Sequence, residues 1–385
     1  MTVLSRIFIL LLITTWQVKA QVKEIYKESF DVENLMDLNL DLEGVHVVIV
    51  PSEDTKIHFD YSVEFENYSK KDMNKILEGI EASAQLNPNQ IDIKAHSVNT
   101  LSDVSFSVET LFGITFEGDY ISFKEPTSIN FRKGKQYFMA INSSSRTKSL
   151  KEYLKNLREV DGKGKKIKIS TKNVKILTTN FIIKLPQNLN LNIKATNSNM
   201  RFNLDLESRL SVTARNTSFK FQNITNSLNS FDIVNGNFRS NSLRGGSYKF
   251  DHVDDVQVAE LQDVILNNEF TTTKIGEIGN NVEIIDFNSK FWVHNFSNGF
   301  TNFKMDTVYS EINLFFPEDM DYYIETFGHN TVHYYGDIIT EIAPSRENQS
   351  SKMMVIGKDT SPNKILINTT HGIIRFGEDF IDTSN

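Results

Sequence analysis

The sequence predicts an all-β protein: a β-solenoid, parallel β-helix-like, with an N-terminal β region and two short helices in and before a middle insertion. Three observations predict it. Segments LNIKATNSNMRF (191–202), LSVTARNTSFKF (210–221) and NSFDIVNGNFRS (229–240) align without gaps at a period of 19 residues. Within each, apolar residues alternate with polar ones, the period of a strand with one buried face. Of the 39 asparagines, 23 lie between 173 and 302, as turns repeated once per coil would require.

Taken in order, Arg6, the apolar run Ile7 to Thr15, and Val18 and Ala20 before Gln21 form the three parts of a secretory signal peptide over 1–20. Nine apolar residues are too few to span a bilayer, which needs about 20. Residues 21–96 read as an N-terminal β region: Leu38, Leu40 and Leu42 alternate, Gly44 marks a turn, and Val45 to Val50 is a β-branched run stopped by Pro51. Ser69 caps an amphipathic helix to Ala82, with Met73, Ile76, Leu77 and Ile80 on one face. Residues 97–165 form a variable insertion with a second helix on Leu150, Tyr153, Leu154 and Leu157.

From 166 to 377 the repeat takes over, followed by a tail, 378–385. Stacked coils bury what one coil cannot, placing Leu191 over Leu210, Ala195 over Ala214, and Ile193 over Val212 over Ile233. Asn197, Asn216 and Asn235 share a turn column, continued by Asp254 and, in a weaker copy, Asn288. Asparagine suits it because it tolerates the left-handed backbone and its amide bonds to neighbouring coils. Further copies begin at 303, 322 and 365.

The alternating pair ending in a Gly-Val turn (Leu40 to Val50), the Leu185-Pro186 entry, the strand–turn–strand units and the closing Ile367 to Ile374 resemble the bacterial putative-adhesin (head-GIN) families of Bacteroidota. That resemblance implies an exported β-solenoid acting at the cell envelope. The chain departs from the family in using Asn or Asp where Gly is frequent, and in its long insertion.

Composition narrows the chemistry. The formal charge of −8 argues against nucleic acid as a partner. The absence of cysteine removes thiol nucleophiles, Cys-ligated zinc, iron–sulfur clusters and disulfides. No HExxH, GxSxG, GxxxxGK or GxGxxG motif occurs, and His329 and His333 sit in a turn where their i, i+4 spacing does not converge, so no metal, cofactor or catalytic residue is assigned. Acids Asp251, Asp254 and Asp255, and Glu318, Asp319 and Asp321, read as solvated turns.

Two features point to binding. Doublets Phe291-Trp292, Tyr322-Tyr323 and Tyr334-Tyr335 place one ring inward and one outward on a strand, which makes Trp292, Tyr323 and Tyr335 candidates for stacking on a glycan or a cell-surface protein. Between 132 and 176 there are 14 basic residues against three acids, so Lys163, Lys165 and Lys166 are candidates for an anionic ligand. The reading is an exported envelope protein, found in the periplasm, at the outer-membrane surface or outside the cell. It acts as an adhesin or structural module without catalysis. A polysaccharide-active β-helix enzyme and an envelope-signalling partner are the alternatives.

Overall fold

The computed structural model describes residues 21–32, 36–97, 174–316, 321–334 and 351–377. It adds the backbone of Val104–Glu109, Thr115–Tyr120, Asn130–Phe131, Arg158–Val160, Lys166–Lys168 and Glu341–Pro344. The signal segment, the second helix, Lys163, Lys165, Glu318, Asp319, Tyr335 and the tail lie outside the described residues. The fold is all-β: about 70% is strand, with one helix among the described residues, and the main sheet is open. No helix among those residues is long and apolar enough to cross a membrane.

The chain divides into two compact units. Of the described residues, the first holds those within 21–27, 59–81 and 97–181, and the second those within 28–58, 82–96 and 182–377.

In the first unit Ser69 Oγ accepts the Asp72 amide at 3.1 Å and so caps helix Lys70–Leu77. The helix is shorter than the expected 69–82. Gly79 bonds back three residues to the Ile76 carbonyl, a tightened last turn, and Ile80, expected on the helix, opens strand Ile80–Asn87 instead. Met73 is the helix residue that is buried. Phe59, Tyr61, Val63 and Phe65 alternate inward, with Tyr61 stacked on Phe181 at 4.7 Å.

In the second unit the long ladder is parallel from strand to strand. Strand Asp37–Glu43 pairs with Gln90–Ser97 on one side and with Asn190–Thr196 on the other. The ladder then runs through Leu210–Lys220, Ser230–Arg244, Ser247–Gln262, Ile265–Glu269, Val282–Phe287 and Asn302–Val308. The N-terminal strands join this ladder: His46 to Ile49 pair with Asn199 to Phe202. A second ladder follows the corner, carried on by Lys290–Val293, Glu311–Leu314 and Ile373–Phe376.

At the far end the spatial order departs from chain order. Strand Lys364–Thr370 lies between Asn302–Val308 and Tyr323–His329. Tyr323–His329 then pairs antiparallel with Ser351–Ile356, which pairs with Glu341–Pro344. That antiparallel pair covers an edge that would otherwise expose a row of unpaired amides and carbonyls.

Register follows the inward apolar residues. Leu191 pairs with Leu210, Ile193 with Val212 and Ala195 with Ala214. Val212 then pairs with Phe231, not with Ile233, which pairs with Ala214. A two-residue slip keeps the same face inward, so alternation alone does not detect it. Rings fill the interior: Phe202 stacks on Phe221 at 4.4 Å, and Phe231 and Tyr248 lie 4.8 Å apart. Each such side chain, removed from water, contributes about 1.5–3 kcal/mol.

Candidate functional site

Along the long ladder one column of residues has positive φ: Asn197 (51°), Asn216 (51°), Asn235 (60°), His252 (52°), Phe270 (49°), Asn288 (57°), Tyr309 (61°), His371 (56°) and Asn330 (49°), preceded by Gly44 (65°). The flanking registers make these ten one column. Asp254 was expected in it and is not. The coil after Asn235 is two residues shorter, His252 takes the corner, and a bulge opposite Gly236/Asn237 shifts Asp254 out of register.

Local chemistry builds the corner. The next residue is often Ser or Thr, whose hydroxyl donates to the carbonyl two residues back: Ser198 to Thr196 at 2.8 Å, Thr217 to Arg215 at 2.9 Å and Thr271 to Glu269 at 2.9 Å. The same oxygens accept the amide of the preceding coil, as Ser289 Oγ does from Thr271 at 2.9 Å. At the asparagine end the side chains also join, Asn216 Nδ2 donating to Asn197 Oδ1 at 3.1 Å. The Asn-Ser and Asn-Thr pairs were visible in the repeat, but the hydroxyl role was not read from them.

Beyond Asn235 the column changes character. His252, Phe270, Tyr309 and His371 replace asparagine and form an outward row of rings with Phe287 and His329. His252 lies 4.7 Å from Phe270, Phe270 is 5.5 Å from Phe287, and Phe287 is 6.0 Å from Tyr309. Tyr309 stacks on His371 at 5.0 Å, and His371 lies 6.0 Å from His329. Phe270 and Phe287 are each 41% exposed and Tyr309 54%. A bulky residue in the left-handed region is a backbone outlier, costing about 1–2 kcal/mol relative to right-handed backbone. Rings held there face water rather than the core.

The predicted platforms lie elsewhere. Trp292 points outward between buried Phe291 and Val293, as the doublet implied, but Lys290 Nζ sits 4.5 Å and Lys274 Nζ 5.7 Å from its ring centre. Lys364 Nζ lies 4.5 Å from the Tyr323 ring, and the Tyr323 hydroxyl donates to Glu325 at 2.7 Å, a bond that pushes the phenol up to about 12. Both rings are engaged by cations of the protein itself. Lys166 opens the two-stranded pair Arg158–Val160/Lys166–Lys168.

Two of the predicted acids, Asp251 and Asp255, are likewise engaged. Asp251 bonds His252 Nδ1 at 2.5 Å, and Asp255 takes Arg239 at 3.3 Å and Gln257 at 2.8 Å. Ser29, His58 and Asp54 form an outer chain, with Ser29 Oγ 2.7 Å from His58 Nδ1 and His58 Nε2 2.9 Å from Asp54. The Lys56 amide and His58 hold the Asp54 carboxyl down at about 2. Asp54 stands half exposed, where water competes for each of these bonds. No group of three or more His, Cys, Asp or Glu among the described residues could hold a metal ion.

An open groove of about 940 Å³ runs over strands Asp37–Glu43, Gln90–Ser97 and Asn190–Thr196, lined by Asn39, Asp41, Asp92, Lys94, Asn192 and Lys194 among others. Its floor is internally bonded: Asn192 donates to Asn39 at 2.8 Å, and Asn39 to Asp92 at 2.6 Å.

No family model matches the sequence, and no curated protein matches it. Solved structures similar to it include the following two. One is described as a putative cell adhesion protein from Clostridium sporogenes ATCC 15579, with 12% identity, 92% of this chain and 99% of that chain covered, and a TM-score of 0.17. The other is described as a putative adhesin from Bacteroides fragilis NCTC 9343, with 8% identity, 94% and 99% covered, and a TM-score of 0.26.

Proposed function

We propose that the protein is an exported β-solenoid that works as an adhesin-like binding module without catalysis, and that it takes a glycan or cell-surface protein along the ring-bearing corner. The observation that carries this reading is the presence of Phe270 and Tyr309, exposed, on left-handed backbone, in one row with His252, Phe287 and His371. Asparagine or glycine at those corners would relieve the strain. A row of rings gives an amphipathic ligand contacts of about 0.5–1.5 kcal/mol each, repeated coil after coil.

The fold supports it further. Coils stacked at about 4.8 Å present that row as a straight, rigid line, which suits an extended ligand because little order must be imposed on binding. The acids near the row are already bonded to His252 and Arg239, and this favours binding over hydrolysis. Affinity electrophoresis through gels loaded with soluble polysaccharides, together with binding to host-cell surfaces, tests the reading. Retention of the wild type that disappears in Phe270→Asn with Tyr309→Asn supports it. Retention unchanged in that variant, or turnover of the polysaccharide, contradicts it.

A further inference from the structure

The second ladder, past the corner, carries an outward column of its own. Arg201, Lys220, Arg239, Gln257 and Lys274 stand level with one another on five successive strands. Each lies between two buried neighbours in its own strand, as Lys220 does between Phe219 and Phe221, so alternation turns the column to the outer face. Four of the five are cations, and the column holds no acid. Paired strands set its members about 4.8 Å apart, and like charges directly opposite one another across strands oppose folding.

The protein cancels little of this charge. Asp255 takes Arg239 at 3.3 Å, whereas Arg201 donates from Nε to the neutral amide of Asn203 at 2.9 Å and Lys274 Nζ lies 5.7 Å from the Trp292 ring centre. Lys220 has no hydrogen bond or ion pair among the described residues. In a chain of formal charge −8, such a line of cations attracts a negative ligand locally. The residues on either side are neutral and hydrogen-bonding. Two positions further along the strands Asn241 Nδ2 donates to Gln222 at 2.6 Å, and two positions nearer the corner Asn237 Nδ2 donates to Ser218 at 3.2 Å.

We propose that this column binds an acidic polysaccharide laid along the ladder, its carboxylates or sulfates against Arg201, Lys220, Arg239 and Lys274 and its hydroxyls against the flanking amides. An extended pyranose chain advances by roughly one strand spacing per sugar, so its acidic groups keep step with the column. Nucleic acid fits less well: the column from Arg201 to Lys274 contains no ring on which a base would stack, and a flat sheet face presents nothing that enters a duplex groove. The site is separate from the row of rings. Arg201, Lys220, Arg239 and Lys274 each stand four residues beyond the positive-φ position of their strand, about 13 Å along it.

Calorimetric titration of the full chain with polygalacturonate, dextran sulfate, neutral dextran and single-stranded DNA tests the proposal, the first two telling carboxylate from sulfate. At least one acidic glycan should bind, more weakly as salt rises. Lys220→Glu should lower that affinity about tenfold, and Lys220→Gln about threefold, since Lys220 makes no internal bond whose loss would disturb the fold. Lys249→Glu makes the same change of charge at an exposed position on the first ladder and should leave the affinity unchanged, as should Phe270→Asn with Tyr309→Asn. Binding lost in the ring variant but kept in Lys220→Glu overturns this column while leaving the ring-bearing corner standing. No binding of either acidic glycan, an equal loss in Lys249→Glu, or tighter binding of the DNA also overturns it.

Discussion

Phe270 is a position at which two replacements, alanine and asparagine, should behave differently for a reason other than size. Its ring is about three-fifths buried against His252 and Phe287, so truncation loses about 1–2 kcal/mol of burial. Its backbone, at φ 49°, carries strain of about 1–2 kcal/mol that alanine retains and asparagine largely relieves. Phe270→Ala should therefore destabilise by about 1–2 kcal/mol, and Phe270→Asn by about 1 kcal/mol less. Urea unfolding of the two variants side by side measures that difference, and any change in the slope is checked separately. At Ile285, exposed on extended backbone, asparagine should hold no such advantage. If alanine at 270 proves as good as asparagine, the corner is not left-handed and the strain argument fails.

Other expectations follow from the interior. Burial raises the Asp286 carboxyl from 3.8 to about 6; the native state keeps a proton the unfolded chain has lost, so stability falls as pH rises from about 4 to 6, by roughly 3 kcal/mol. Asp286→Asn should flatten that slope in chemical unfolding across pH 4 to 7. Val212→Asp sets a charge between Ile193 and Phe231 and should cost several kcal/mol, while Lys220→Ala should stay within about 0.5 kcal/mol. At Gly236, φ is 110° and an added Cβ would stand 2.1 Å from the Thr217 carbonyl oxygen, so Gly236→Ala should destabilise by on the order of 3 kcal/mol in the same assay.

The strand stack was legible where coil length is constant. Asn197, Asn216 and Asn235 fall 19 apart and all three have left-handed backbone. Legibility ends where the length changes, since the next corner comes 17 residues on, at His252, and a fixed period points to Asp254 instead. Residue type misleads as well: a left-handed column is sought through Asn and Gly, so Phe270, Tyr309 and His371 give no signal in a sequence. Lys290, over Trp292, is two residues away on its own strand, but the other lysines over Trp292 and Tyr323 come from paired strands: Lys274 from the preceding one and Lys364 from a strand out of chain order. The basic column of Arg201, Lys220, Arg239 and Lys274 depends on the same register between strands.

Cysteine pairing tests that register most directly, because the chain has no cysteine of its own. Adjacent corners lie about 4.8 Å apart, inside the roughly 4.4–6.8 Å between Cα atoms that a disulfide spans, while corners two coils apart lie beyond it. Asn197→Cys with Asn216→Cys should oxidise to an intramolecular bond, seen by mass and by mobility without reductant, and Asn197→Cys with Asn235→Cys should not. Tyr309→Cys should close with His371→Cys and not with Asn330→Cys, although Asn330 is far nearer in sequence. Closure of the Tyr309–Asn330 pair in place of the Tyr309–His371 pair would contradict the corner column and the row of rings built on it.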